Sequence, residues 1–426
     1  MCYFRRCIIF YNNYFFSSLT GKKNTVSKVR LAFIGVGERG RSHVRQALLR
    51  PDVEVTAICD SSPEAIRLTK VMLEKAGRKA PATYGGSDES FREMLKRDDI
   101  DGVVIATSRK WHVPMAIAAM EAGKYVGVEV STTTTLQDSW DLVDASERTG
   151  SHCMVLENVC YRRDVMAVLN MIRQGMFGTM AHAHCGYQHT LQPTSYIGAE
   201  RAANPLQHSA DVHSTHGLGP VAHWLNINRG NRFTRLTSMA TKSRGLRQYI
   251  VDGSETAYAD ATVNYKLGDV VTTMIECANG ENIVLIHDTN SNRPYSTGFR
   301  AHGTHGTWLD SNDQISLSAN KPDAQAWEPF AARQEKHDHP LWKRYARTAE
   351  KPPCGGIDFF IFQDFINSVK EKTAPPIDVY DAAVWSAISP LSELSLAQGG
   401  QSVEIPDFTR GKWKTNKPIF GLTDAV

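Results

Sequence analysis

The chain has 426 residues, 42% of them hydrophobic and 22% charged, with 48 Lys and Arg against 45 Asp and Glu. That length suffices for two or more domains, and the composition is that of an ordinary globular protein. A net charge of +3 is too small to argue for nucleic acid or an anionic membrane as partner, and no stretch reaches the roughly 18 apolar residues a membrane helix needs.

Residues 1–27 combine Arg5 and Arg6 with an apolar run broken by YNNY. They read either as a degraded export signal or as a mispredicted start, and stand outside the fold argument as an N-terminal extension. The cysteines, Cys2, Cys7, Cys59, Cys153, Cys160, Cys185, Cys277 and Cys354, form no CxxC pair. Several sit inside apolar runs, which predicts buried free thiols.

The segment VRLAFIGVGERGRSHVRQALL predicts a strand, a glycine-rich turn and a helix. Gly35, Gly37 and Gly40 form G-x-G-x-x-G, and a second apolar run, VEVTAIC, ends in Asp60. This is a dinucleotide fingerprint in its βαβ setting. Gly35 permits the tight turn, Gly37 lets backbone N–H groups approach a pyrophosphate, and Gly40 lets the helix lie against the strand. The helix N-terminus favours the anion. Asp60 suits a ribose diol and repels a 2′-phosphate, which points to NAD rather than NADP.

The alternation continues through IDGVVIAT (strand), HVPMAIAAMEAG (helix), KYVGVEV (strand), LQDSWDLVDASERTG (helix) and HCMVLE (strand). The pattern predicts an α/β Rossmann unit, a doubly wound parallel sheet. Ligands bind beyond the C-terminal strand ends of such sheets. That edge carries Arg109, Lys110, Trp111 and His112, then Glu129 and Val130, then Glu157 and Asn158. Trp111 and His112 also suit packing at a helix start.

After the helical YRRDVMAVLNMIRQGMFG, residues from about 178 to 320 turn β-rich: TMAHAHCGYQH, RLTSMATKS, ATVNYKL, VVTTMIECA and ENIVLIHDT. They predict an open, mostly antiparallel sheet in an α+β domain. The segment DVHSTHGLGP reads as a polar loop. The helical tail from GIDFFIF onward is expected to pack back. The domains are therefore read as 28–155, NAD-binding, and 156–426, substrate-binding.

A Rossmann unit followed by an open sheet resembles the Gfo/Idh/MocA oxidoreductases. Those enzymes usually carry Glu-Lys-Pro at the end of the fifth strand, where this chain has Glu129, Val130 and Ser131. VEVSTTTTLQDSWDLVDASERTG, CMVLENVCYRRDVMAVLNMIRQGMFG, GYQH and THGLGPVAHWLNINRGNRFTRLTSMATKSRGL resemble glycoside hydrolase family 109, the NAD-dependent α-N-acetylgalactosaminidases. The resemblance covers nearly everything after the N-terminal extension.

Carried over by position, it implies NAD contacts at Glu38, Arg39, Asp60, Arg109 to His112, Glu129, Val130 and Asn158. It implies sugar contacts at Tyr187, Arg201, Tyr295 and the four residues before GLGP, which are His213, Ser214, Thr215 and His216. The family has Tyr-Pro-Thr-His there, so Thr215 and His216 match while His213 and Ser214 depart. Family members are often exported; this N-terminus leaves export and a cytoplasmic location both open, and homo-oligomerisation is also open.

NAD-dependent glycosidases are exceptions to the rule of paired carboxylates. The scheme the resemblance implies oxidises the sugar at C3, which acidifies C2–H. Proton loss at C2 expels the aglycone from C1, water adds back, and the ketone is reduced again. Histidine suits these proton transfers near neutral pH. His216 is the expected proton-transfer residue, Tyr187 a positioning or shuttling phenol, and His213 a further acid/base. A small glycoside or glycan is the expected partner. Two alternatives compete. One is a sugar or cyclitol dehydrogenase, which the absent lysine disfavours. The other is a metal site using His182, His184, Asp211, His213 and His216, set aside because an NAD site already accounts for the polar segment.

Overall fold

The computed structural model describes residues 28–192, 199–253, 262, 264–318, 326–351 and 356–422, with the backbone alone for 199–202. The N-terminal extension and Cys354 lie outside the described residues. Cys59, Cys153, Cys160, Cys185 and Cys277 are buried and unbridged, as their apolar surroundings predict.

Apolar runs bounded by turns form the first sheet: β1 (Val29–Ile34), β2 (Val53–Cys59), β3 (Ala82–Tyr84), β4 (Gly102–Ile105), β5 (Tyr125–Val128) and β6 (Cys153–Val155). All pair in parallel in the order β3-β2-β1-β4-β5-β6. Their unbroken hydrophobicity follows from burial on both faces. Helices α1 (Glu38–Leu48), α2 (Pro63–Lys75), α3 (Phe91–Leu95), α4 (Arg109–Glu121) and α5 (Leu136–Thr149) make the crossovers. Thr135 and Asp138 close a capping box on α5, and Gly150 ends it in the left-handed region.

A 3-10 turn (Asn158–Tyr161) and α6 (Arg163–Arg173) lead into β7 (Met180–Gln188). Then come α7 (Ala199–Gln207), α8 (Ser214–Trp224), β8 (Phe233–Ala240), α9 (Gly245–Val251), β9 (Val270–Cys277), β10 (Asn282–Asp288), β11 (Arg300–Gly303), β12 (Gly306–Leu309), β13 (Gln314–Leu317) and β14 (Glu328–Pro329). Helices α10 (Phe330–His337), α11 (Pro340–Ala349), α12 (Ile357–Glu371) and α13 (Val379–Ala397) and strand β15 (Val403–Glu404) follow. Among the described residues the second sheet runs β14-β13-β12-β11-β7-β10-β9-β8-β15. It is antiparallel except at its centre, where β7 and β10 run parallel with Tyr187 opposite His287.

Two expectations fail. DVHSTHGLGP is no loop: from Ser214 it is helix α8, buried along nearly its whole length. Gly and Pro disfavour helix locally, but here packing wins. A Cβ on Gly217 would stand 2.9 Å from the backbone nitrogen of Gly186, so only glycine lets α8 lie so close to β7. The described part of ATVNYKL is not a strand either. Lys266 and Leu267 instead donate backbone N–H bonds to the Pro205 carbonyl of α7.

The tail helices span both sheets. On α12, Phe362 stacks on His43 of α1, with centroids 5.5 Å apart, while Trp385 of α13 accepts the Ser214 hydroxyl of α8 at its carbonyl. The edge beyond β4, β5 and β6 is thereby closed against α8 and β7, and this closure forms the site.

Candidate functional site

The glycine turn has the form its sequence demands. Gly35 has φ +80°, and a Cβ there would stand 2.5 Å from the Ala106 carbonyl oxygen. A Cβ on Gly40 would come within 1.9 Å of the Gly35 carbonyl oxygen, so α1 can approach β1 only without one. Gly37 faces open space: nothing lies within 4 Å of its Cβ position. The first N–H groups of α1 thus border a surface a phosphate can reach. Asp60 accepts from Val36 N (2.7 Å) and Ser62 N (2.8 Å), which fixes the carboxylate at the end of β2. A carboxylate retains acceptor capacity beyond two such bonds. An open turn at Gly37, a helix N-terminus without a side-chain cap and a fixed acid together fit a dinucleotide.

Arg39 and Glu129 tie this turn to the end of β5. Arg39 Nε donates to Glu129 Oε1 at 2.5 Å, and its other nitrogens reach Asp358 of α12 at 2.6 and 3.2 Å. His43 Nε2 shares Glu129 Oε1 at 2.5 Å. Burial alone would raise Glu129, but the bond from His43 and the charge of Arg39 bring its carboxyl down to about 2. Asn158 Nδ2 donates to Asp358 Oδ1 at 2.6 Å, so one carboxylate holds both Arg39 and Asn158.

The remaining cofactor candidates divide. Arg109 Nη1 reaches the Val212 carbonyl at 3.4 Å, bridging α4 to the segment before α8. His112 is buried, with Nδ1 3.1 Å from the Ser131 oxygen and Nε2 3.1 Å from that of Thr107. Burial lowers its pKa. Trp111 meets Phe91 edge-on at 6.3 Å. Glu38 and Lys110 are exposed and Val130 half-buried.

Opposite stands an aromatic and imidazole cluster. Tyr187 on β7 lies between His213 and His216, both with ring centroids 4.9 Å away. Tyr295, about half exposed, meets Tyr187 edge-on at 6.0 Å. His216 Nδ1 is 2.9 Å from Oε1 of Glu157, whose other oxygen has no partner. Burial would lower His216, but the charge of Glu157 and the bond to it, reinforced by Glu129, raise it. Burial, with Glu157 adding to it, raises the Tyr187 phenol. Burial also pushes Tyr295 up to about 12. Because Glu129 and Arg39 both act on His216, the cofactor cluster and this cluster adjoin.

Not every sequence candidate reaches that wall. Ser214 is buried and its hydroxyl donates to the Trp385 carbonyl at 2.7 Å. Thr215 is buried with an unpartnered hydroxyl. Arg201 lies in α7, but its side chain is outside the described residues. Asp211 is fully buried and burial pushes it up to about 8, so it sits as a neutral acid. His184 Nδ1 faces the Gly298 carbonyl oxygen, and His182 pairs with Asn282.

The residue reading missed His43 and Asp358, and did not assign Glu157 to His216. Glu157 had a signal, an acid ending a parallel strand; Asp358 had none near the cofactor motifs in sequence.

Two family models match in succession: an oxidoreductase-family NAD-binding Rossmann fold over residues 29–157 and the C-terminal domain of glycosyl hydrolase 109 over residues 161–415. A glycosyl hydrolase family 109 protein of Parabacteroides distasonis is 44% identical, covering 94% of this chain and 92% of its own length. An α-N-acetylgalactosaminidase of Tannerella forsythia is also 44% identical, covering 92% and 89%, and one of Shewanella oneidensis is 40% identical over 93% and 88%. Among solved structures, a levoglucosan dehydrogenase complex with NADH and levoglucosan matches with TM-score 0.67 at 20% identity, covering 89% of this chain and all of its own; this is a likeness of fold.

Proposed function

The chain belongs to glycosyl hydrolase family 109, and we propose that it cleaves α-N-acetylgalactosaminides by transient oxidation of the sugar, with His216 as the proton-transfer residue. It is a glycosidase built on an NAD-binding Rossmann unit, and a small glycoside is its substrate. The observation that carries the proposal is the Glu157–His216–Tyr187 arrangement beside Arg39 and Glu129.

Gly35, Gly37, Gly40 and the start of α1 would hold the pyrophosphate, Asp60 the adenosine ribose, and the Arg39–Glu129–Asp358–Asn158 set the far end of the cofactor. When bound, NAD supplies a reversible hydride acceptor, which is what allows a ring carbon, most simply C3, to pass through a ketone.

His216 is built to move protons beside that carbon. Its Nδ1 faces a buried carboxylate, so Nε2 is the exchangeable nitrogen. Glu157 fixes the tautomer and stabilises the imidazolium, as an acid behind a catalytic histidine does elsewhere. The His216 side chain keeps 19% exposure, enough to meet a ligand in the cleft. Tyr187 stays a protonated phenol near neutral pH, because burial and Glu157 both oppose its ionisation. It offers a donor hydroxyl on a ring that meets both imidazoles. Tyr295, more exposed, suits the outer wall against which a sugar face packs.

The test is turnover of an aryl α-N-acetylgalactosaminide in D₂O with catalytic NAD. Aglycone release with deuterium at C2 of the free sugar is expected. Release without C2 label overturns the elimination route. NADH accumulating with free sugars and no release makes the protein a dehydrogenase.

A further inference from the structure

Two side chains one turn apart on α1 converge on a single oxygen. Arg39 Nε and His43 Nε2 each stand 2.5 Å from Glu129 Oε1. A spacing of four places them on one face of the helix. Helix α12 meets that face with a matching pair. Asp358 holds the other nitrogens of Arg39 at 2.6 and 3.2 Å. Phe362, four residues further on, stacks on the His43 ring with 13° between the planes. Each donor to Glu129 is thus held by α12, one through a carboxylate and the other through a ring.

The hydrogen on the facing nitrogen of His43 follows from its two neighbours. The bond from His43 and the charge of Arg39 keep Glu129 a carboxylate, so Oε1 can only accept. A bare Nε2 lone pair 2.5 Å from it would set acceptor against acceptor. Nδ1, the other ring nitrogen, is buried with no hydrogen-bond partner. A hydrogen placed there instead would be a buried N–H without an acceptor, the rarer and costlier kind of unpaired group. Nε2 therefore carries a hydrogen, whatever the charge of the ring, and donates it to Glu129.

The consequence falls on the second carboxylate oxygen. Oε1 takes two short bonds, whereas Oε2 takes the Val130 N–H at 3.3 Å. The Glu129 side chain keeps 11% exposure. It stands just past the C-terminal end of β5, where a sheet of this kind binds its ligand. We propose that His43 is a positioning residue of the cofactor site, which with Arg39 anchors Oε1 of Glu129 and so leaves Oε2 to accept from a ribose hydroxyl in the nicotinamide half of NAD. The proposal rests on the reading above in that it takes the far end of NAD to lie at Glu129.

Helix α1 then has two tasks. Its N-terminus borders the approach to the pyrophosphate, and the Arg39–His43 face sets the carboxylate at the other end of the cofactor. A shift of the whole helix would weaken both halves of NAD together. Loss of the His43 donor alone should weaken only one, and that difference separates positioning from general support.

The test is displacement of labelled NAD from the loaded full chain by unlabelled NAD and by ADP, which has the adenosine and the pyrophosphate but no nicotinamide half. The ratio of the two affinities reads the nicotinamide half alone. In His43→Leu, which fills the space of the ring without a donor, the preference for NAD over ADP should fall by about tenfold or more, the scale of one hydrogen bond to a charged group. His43→Gln, whose amide nitrogen reaches nearly the place of Nε2, should restore the preference. Nitrogen NMR on the histidine-labelled unsubstituted chain, with the Gln variant to identify the His43 signals, should show hydrogen on Nε2, and serves if the leucine variant does not fold. A folded Leu variant with the ratio unchanged overturns the proposal, whether both affinities hold or both fall together. So does a Gln variant as impaired as the Leu one, or a bare Nε2 in the unsubstituted protein. If the unsubstituted chain holds no NAD, the placement of the cofactor fails and takes this inference with it; if NAD is held and the ratio does not move, this inference fails alone.

Discussion

His216 Nδ1 and Glu157 Oε1 are 2.9 Å apart, and the Glu157 side chain has no exposed surface. The carboxylate therefore acts on the imidazole with little screening by solvent. Its charge raises His216 against the opposing effect of burial. If neutral His216 is the base, the acid limb of kcat/KM lies above the ordinary histidine range. Glu157→Gln removes the charge and keeps an acceptor. The limb should move to lower pH, and kcat should fall by about 100-fold or more. A pH–rate profile of both proteins checks this; a uniform loss with the limb unmoved would make Glu157 merely structural.

Asp358 holds Arg39 at 2.6 and 3.2 Å and Asn158 at 2.6 Å from the first turn of α12. Asp358→Asn weakens both anchors without changing side-chain volume. Retention of NAD through gel filtration should drop, with an affinity loss of about 10- to 150-fold, as expected for one charge-assisted pair worth about 1.5–3 kcal/mol. Unchanged retention would remove Asp358 from the cofactor's support.

Gly37 and Gly40 predict opposite failures. A Cβ at Gly37 meets nothing within 4 Å, whereas one at Gly40 would stand 1.9 Å from the Gly35 carbonyl oxygen. Gly37→Ala should keep stability within about 0.5 kcal/mol, the usual range for an unobstructed surface change, yet lose NAD affinity because a methyl fills the pyrophosphate approach. Gly40→Ala should unfold at a markedly lower temperature. Thermal melts with and without NAD separate the two.

The difference between those glycines was readable because β1, α1 and β2 are contiguous and each residue's job is local. The parallel strands were legible for the same reason: burial on both faces writes an unbroken apolar run. Helix α8 was not, because its Gly217 and Pro220 argue against helix locally while the reason for helix is contact with β7. Asp358 and His43 were illegible on different grounds. Asp358 reaches Arg39 across 319 positions of chain, and His43 is one polar residue of an ordinary helix until α1 is known to lie beside the end of β5.

Asp211 gives a stability prediction of definite sign. It is fully buried, neither carboxylate oxygen has a partner, and burial pushes it up to about 8. The unfolded chain loses that proton near 4. Between those values the folded state binds one proton more than the unfolded one, so stability falls as pH rises and levels off above about 8. Its contribution is intact below pH 4 and is lost on the way up. Asp211→Asn carries no such proton. If the amide fills the site as the neutral acid does, the variant's stability should exceed that of the unsubstituted protein by about 1.5 kcal/mol at pH 5 and by about 5 kcal/mol at pH 8, at about 1.4 kcal/mol per unit. Urea melts at the two pH values measure the difference directly; parallel losses in both proteins would mean that Asp211 is ionised in the fold and has a partner there.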